Sequence, residues 1–299
     1  MEELLERLSA LSAQLDILLV SYNDVVFHYL HGDSLLASNL CFFGFDVCEG
    51  NIADVKFYVV EDNPYQHMER SFSVLANHNN DYHEKKYYRN DFKDETVTLA
   101  ELKRAFDKAG ILDNVQQRYI SYGEVIKKYT RTATFPCFGY GFITAEDEQV
   151  IGAKLYYTFF SYKEKSSQYG EVNHHSAMGC IQHLLGTMIT SEQIKESVYA
   201  LFEKLRSNIV LSLFALNTDS NGEEEYKIYF HILDETHLER QKNIALIGKA
   251  LCFEAGTKKI AKIVDSVANM TSIPIFPAEH CISIKNNRIM YKFYYRVKR

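Results

Sequence analysis

The chain has 299 residues, 46% of them apolar, with a net charge of −6 and a pI near 6.0. That length suits one large domain or two small ones, and the acidic balance argues against a nucleic-acid binder that works through bulk positive charge. No apolar run approaches the ~20 residues of a membrane-spanning helix, and the acidic, amphipathic start Met1-Glu2-Glu3-Leu4-Leu5-Glu6 is neither a signal nor a transit peptide, so a soluble, cytoplasmic protein without membrane or nucleic-acid partners is expected.

Leucines at helical spacing predict a helix over 2–20, and 23–30 fit either a strand or an extension of that helix. A first hairpin is expected at 36–46 with 53–60, turned by Glu49-Gly50-Asn51. Asp62-Asn63-Pro64 then breaks the strand and caps a helix near 64–77, followed by a polar, loop-like stretch over 78–97. Helices follow at 98–109 and 113–129, separated by Gly110. A second hairpin spans 132–145 and 150–160, and helices span 172–187 and 191–206, the latter capped by Thr190 or Ser191. The third hairpin, 208–217 with 224–233, turns at Asp219-Ser220-Asn221-Gly222. Helices at 235–254 and 257–269 lead to a fourth hairpin, 279–285 with 288–297, turned by Asn286-Asn287. No low-complexity linker interrupts this order, so a single domain over 1–299 is expected. Six cysteines without a CxxC or disulfide-dense pattern suit buried free thiols.

One pattern recurs in the second strand of each hairpin. Lys56-Phe57-Tyr58, Lys154-Leu155-Tyr156, Lys227-Ile228-Tyr229 and Lys292-Phe293-Tyr294 each set a Lys two residues before a Tyr inside an apolar run. Residues i and i+2 of a strand point to one face, so each run sets an ammonium beside a phenol ring. Further Lys-x-Tyr steps at Lys85, Lys86 and Lys127 sit in polar or helix-like sequence and are read as incidental. The plain alternative is a sheet with one solvated face, where Lys and Tyr are ordinary residues; the same residue order at the same place in each hairpin weighs against it.

Hairpins separated by helices can form one antiparallel sheet with helices on one face, and eight or more such strands tend to close and hide their edges. The expected fold is therefore α+β: an antiparallel β-barrel of repeated hairpins within a ring of α-helices. Inward Lys would bind phosphate, and crowded ammoniums cost energy until an anion arrives. Inward Tyr rings would attract a cation by roughly 0.5–2 kcal/mol each when desolvated. A substrate whose diphosphate leaves an allylic cation behind uses both layers.

Phe138-Gly139-Tyr140-Gly141-Phe142-Ile143-Thr144 leading to Gly152-Ala153-Lys154-Leu155-Tyr156, Glu225-Tyr226-Lys227-Ile228-Tyr229, and Asn287-Arg288-Ile289-Met290-Tyr291-Lys292-Phe293-Tyr294-Tyr295 resemble the aromatic prenyltransferases of the ABBA type. Val55-Lys56-Phe57-Tyr58 followed by Glu61 and Pro64 looks like that family's first unit, and the C-terminal strand looks like that of the cyanobactin peptide prenyltransferases. The indole prenyltransferases are similar in motif and usually longer. The resemblance implies the PT-barrel fold and transfer of a dimethylallyl or geranyl group from its diphosphate to an electron-rich aromatic acceptor, an indole or phenol, free or in a peptide, as in natural product biosynthesis. It implies that Lys56, Lys154, Lys227 and Lys292, joined by Arg288 on the last strand, hold diphosphate, and that Tyr58, Tyr156, Tyr229 and Tyr294 shield the cation. Phe214 is set by its size against the prenyl chain, and His231, on the Lys227/Tyr229 face, against either substrate, although a lone strand His is more often structural. The family has five hairpins, and residues 20–35 or 78–97 are the places for the fifth. The family often carries a Glu base in its first hairpin; the candidates here, Asp33 and Asp46, leave the base unassigned.

Mg²⁺ would help neutralise a diphosphate, but no paired acidic clusters of the Asp-Asp-x-x-Asp kind are present. Among His174, His175, Cys180 and His183 only two or three could share a zinc at helical spacing, without a fourth ligand, and they read as structural or exposed. Gly139 and Gly141 lack the rest of a phosphate loop and read as strand curvature or close packing. Two rival readings stand beside the transferase: a non-catalytic barrel that holds a prenyl diphosphate or other amphipathic ligand, and an interaction protein whose Lys/Tyr faces meet a partner.

Overall fold

The computed structural model describes residues 40–48, 51–60, 66–73, 83–89, 97–131, 134–144, 150–159, 169–219, 222–251, 257–269 and 275–297, with backbone alone at 40–41, 51–60, 66–73, 83–89, 144, 169–173 and 257–259. The expected helix over 2–20, and Asp33 with it, lie outside these residues.

Antiparallel strands alternate with helix pairs. β1 (Leu40–Cys48), β2 (Asn51–Val60), β3 (Gln66–Ser73) and β4 (His83–Arg89) come first, followed by α1 (Leu99–Lys108) and α2 (Asp113–Thr130). β5 (Cys137–Thr144) and β6 (Val150–Thr158) precede α3 (Tyr169–Met188) and α4 (Glu192–Leu205). β7 (Ile209–Asp219) and β8 (Glu224–Ile232) precede α5 (His237–Ala250) and α6 (Thr257–Ala268), and β9 (Ile275–Lys285) and β10 (Arg288–Val297) end the order.

Two expectations change here. Residues 66–73, expected in a helix, are the strand β3, and the stretch expected as loop contains β4. β4 lies within 78–97, one of the two places expected for a fifth pair. Lys85, Lys86, Tyr87 and Tyr88 lie on β4, so β2, β4, β6, β8 and β10 each carry Lys-x-Tyr; Lys127 lies on the helix α2.

The termini of the helices follow local chemistry. Thr98 caps α1 and Thr236 caps α5, each in a reciprocal box with the Glu three residues on, while Ser191 Oγ accepts from Ile194 N at the start of α4. The β7–β8 turn closes on Gly222 at φ +77°, a left-handed conformation that suits Gly. The two-residue turn Asn286-Asn287, at φ 51° and 55°, has the left-handed pair that twists with a hairpin.

The chain falls into two compact units. One contains β1–β3, α5, α6, β9 as far as His280 and β10 from Met290. In it β1 pairs on one side with β2 and on the other with β10, and β2 pairs with β3, all antiparallel. The other contains α1–α4 and the antiparallel run β5–β6–β7–β8.

In the second unit the core lies between the sheet and the helices. The Tyr119 hydroxyl of α2 lies 2.9 Å from both the Ala153 carbonyl and the Thr218 hydroxyl, and Tyr157 donates to the Tyr119 carbonyl at 2.6 Å. Tyr157, Phe214, Ile228, Tyr140, Leu155 and Leu216 lie on this helix-covered face. Burial raises the Tyr119 and Tyr157 hydroxyls above their ordinary range and pushes the Cys180 thiol up to about 12. Cys137 and Cys180 are buried free thiols, and Cys281 is buried as well.

In the first unit the same role falls to α5. Arg240, fully buried, donates to the Tyr294 carbonyl at 2.5 Å and to Glu235 Oε2 at 2.7 Å, and its guanidinium sits 4.5 Å from the Tyr295 ring centre. His280 bridges Glu235 Oε2 at 2.9 Å and the Tyr291 hydroxyl at 2.5 Å. Burial opposes ionisation of Glu235, yet His280, Arg240 and Asn243 together hold its carboxyl below the ordinary 4.5. Among the described residues no helix is long and apolar enough to cross a membrane.

Candidate functional site

Strand alternation separates the two faces of each sheet. In the second unit the register sets Gly141, Lys154, Asn217 and Glu225 in one cross-strand row, and Gly139, Tyr156, Ala215 and Lys227 in the next. Tyr229 follows opposite Leu213. Cross-strand partners share a face, so Lys154, Lys227, Tyr156 and Tyr229 come together on the face opposite the helices.

Their contacts are close. Lys154 and Lys227 are each only 3% exposed. The Lys154 ammonium donates to the Tyr229 hydroxyl at 3.2 Å and lies 4.3 Å from the Tyr156 ring centre, in cation–π range. The Tyr156 and Tyr229 rings are 6.0 Å apart and tilted. Lys227 Nζ lies 2.8 Å from Glu225 Oε2, which also accepts from Asn217 Nδ2 at 2.6 Å, while Ser283 Oγ donates to Glu225 Oε1.

The first unit repeats the arrangement. Lys292 and Tyr294 of β10 pair with Asp46 and Gly44 of β1. Lys292 Nζ lies 2.8 Å from Asp46 Oδ2, both side chains almost fully buried. The register sets Lys56 opposite Gly44 and Tyr58 opposite Phe42, in the rows of Tyr294 and Arg296. A Cβ added at Gly44 would meet the Tyr294 ring at 2.3 Å and the Phe293 carbonyl at 3.0 Å. Gly44→Ala is therefore expected to displace the Tyr294 ring and destabilise the chain by about 1–3 kcal/mol, measured by chemical denaturation.

Four sequence-derived assignments are amended. Phe214 faces the helices: it pairs with Tyr157 and Ile228, its ring 6.2 Å from that of Tyr157, on the opposite side from Lys154 and Lys227. Strand alternation is the reason, since Leu213, Ala215 and Asn217 take the Lys/Tyr side of β7. Asp46 shares the face of Lys292 and Tyr294 but is locked in an ion pair, a poor state for a free base. Arg288 and His231 are exposed, unlike the lysines beside them.

Glu225, Asn217 and Ser283 were not foreseen. Glu225 changes the electrostatics of the second unit: Lys227 meets a carboxylate of the protein, so the cost of setting it on one face with Lys154 is offset before any ligand arrives, as Asp46 does for Lys292 in the first unit. Among the described residues no group of three or more His, Cys, Asp or Glu is gathered for a metal.

No family model and no curated protein matches the sequence. Among solved structures, AnaPT from Neosartorya fischeri, an ABBA aromatic prenyltransferase, is similar to this chain at 8% sequence identity with a TM-score of 0.60. The likeness covers 92% of this chain and 87% of the other. Agreement over that length at so low an identity is agreement of fold: antiparallel strands alternating with helix pairs, consistent with the ABBA type.

Proposed function

We propose that this chain is an aromatic prenyltransferase, a single cytoplasmic domain whose strands close into a barrel. The observation that carries the reading is the buried Lys154 ammonium held against the Tyr156 ring and the Tyr229 hydroxyl, with Lys227 on the same face. The likeness to AnaPT supports both the barrel and the chemistry.

In this reading the lysines hold the diphosphate of a dimethylallyl or geranyl donor. The allylic C–O bond breaks, diphosphate leaves with the electron pair, and the ammoniums stabilise the charge that develops on it. The Tyr rings keep water from the allylic cation and attract it through their π faces. An electron-rich carbon or heteroatom of the acceptor forms the new bond and gives up its proton. Lys154 and Lys227 are the diphosphate ligands of this reading, and Tyr156 and Tyr229 shield the cation; Lys56, Lys292, Tyr58 and Tyr294 offer the same residue types in the first unit. Mg²⁺ would add charge neutralisation to the leaving group.

Incubating the full chain with dimethylallyl or geranyl diphosphate and a panel of indoles, phenols and Tyr- or Trp-containing peptides tests this. The expected result is an acceptor heavier by one or two isoprene units, with diphosphate released. Tight donor retention with no product from any acceptor would favour the non-catalytic barrel instead.

A further inference from the structure

We propose that Glu225 is a positioning residue, the exchangeable counter-anion of Lys227, and that it sets how tightly the Lys/Tyr face takes a diphosphate. The inference rests on the diphosphate reading given above and assigns to this site a carboxylate that works against the ligand.

Glu225 and Lys227 are two apart on β8, on one face, with Oε2 and Nζ 2.8 Å apart and Lys227 almost fully buried. The carboxylate is backed by two neutral donors from neighbouring strands, Asn217 Nδ2 of β7 on Oε2 and Ser283 Oγ of β9 on Oε1. Those donors keep the carboxylate in place if the ammonium turns away, because it retains hydrogen bonds of its own. A phosphate arriving at Lys227 then competes with Glu225 for one cation. The ligand gains only the difference between the two pairings.

The consequence has a definite sign. Neutralising Glu225 leaves a buried ammonium without that counter-charge, which destabilises the ligand-free chain. An incoming phosphate restores an anion beside Lys227, so binding becomes tighter. A carboxylate with a merely structural role would lower stability and affinity together. The opposed movement of the two quantities is the signature of a counter-anion.

The test compares wild type, Glu225→Gln and Glu225→Asp as full chains. Inorganic pyrophosphate affinity is measured by calorimetry, and melting is followed with and without pyrophosphate. Gln keeps an oxygen for Ser283 or Asn217 and removes the charge. The expected result is a lower melting temperature without ligand, a larger rise on adding pyrophosphate, and binding tighter by about tenfold. Asp, one methylene shorter, loosens the pair and tightens binding by about threefold, which keeps the test alive if the Gln chain does not fold. Equal or weaker binding by the variant that folds overturns the counter-anion role. Where wild type binds pyrophosphate and Lys227→Gln does not, such equal or weaker binding by the Glu225 variants removes the counter-anion role alone and leaves the diphosphate reading standing. If neither wild type nor any variant binds pyrophosphate, both fall.

Discussion

Lys154→Met is expected to lower kcat/KM for the prenyl donor by about 10²–10³ while leaving the fold in place. Met keeps most of the length and apolar stem of Lys and removes the ammonium alone. That ammonium sits where ring and hydroxyl of two tyrosines converge, at 4.3 Å from the Tyr156 ring centre and 3.2 Å from the Tyr229 oxygen. In the proposed reaction it meets a leaving diphosphate whose charge grows as the allylic bond breaks, so most of the loss is expected in kcat. Steady-state kinetics at saturating acceptor, with melting as the control for folding, measures it. Unchanged turnover in this variant and in Lys227→Met would remove the lysines from the reaction.

Arg240→Met is expected to cost about 3–5 kcal/mol of stability, because it strands Glu235 and His280 in the interior without the guanidinium. Arg240 ties the start of α5 to the backbone of β10 through the Tyr294 carbonyl and to Glu235 through its carboxylate. The same group makes stability depend on pH. The folded pKa of Glu235 is lowered, so its contribution is present above the ordinary value of 4.5 and is lost as pH falls through the folded value. Acidification below about 4.5 is therefore expected to reduce the denaturation midpoint of wild type more than that of Glu235→Gln. Urea denaturation across that pH range measures both effects.

The readable parts of the chain were those where local chemistry and burial agree. The β7–β8 hairpin sets two apolar runs either side of a turn that carries Gly at its left-handed position, and the capped helices announce themselves by Thr or Ser three residues before Glu or an apolar run. β3 misled because Met68 and Phe72, four apart, satisfy a helical stripe and a strand face equally. β4, His-Glu-Lys-Lys-Tyr-Tyr-Arg, has no aliphatic alternation from which a strand can be read. At the candidate site, the Lys-x-Tyr spacing pointed to a shared face, and the register sets Lys154, Tyr156, Lys227 and Tyr229 on one. The carboxylates that pair with Lys227 and Lys292 were not assigned that role, because the partner of Lys292 is distant in sequence and Glu225, although two residues from Lys227, takes part of its support from another strand. Glu225 receives Ser283 from 58 residues away, and Asp46 meets Lys292 across 246. Glu225 also stands in a Glu-Glu-Glu run after a turn, which from sequence alone suits a solvated loop end. Phe214 failed for the converse reason: size suggested a pocket wall, while strand parity turns it toward the helices.

A crystal structure of the full chain with a non-ionising dimethylallyl thiolodiphosphate tests the central claim most directly. The account predicts diphosphate oxygens at hydrogen-bonding distance, about 3 Å, from Lys154 and Lys227 Nζ, with the allyl carbons beside Tyr156 and Tyr229. An analogue seated elsewhere, with both lysines still on their Tyr229 and Glu225 partners, would contradict it.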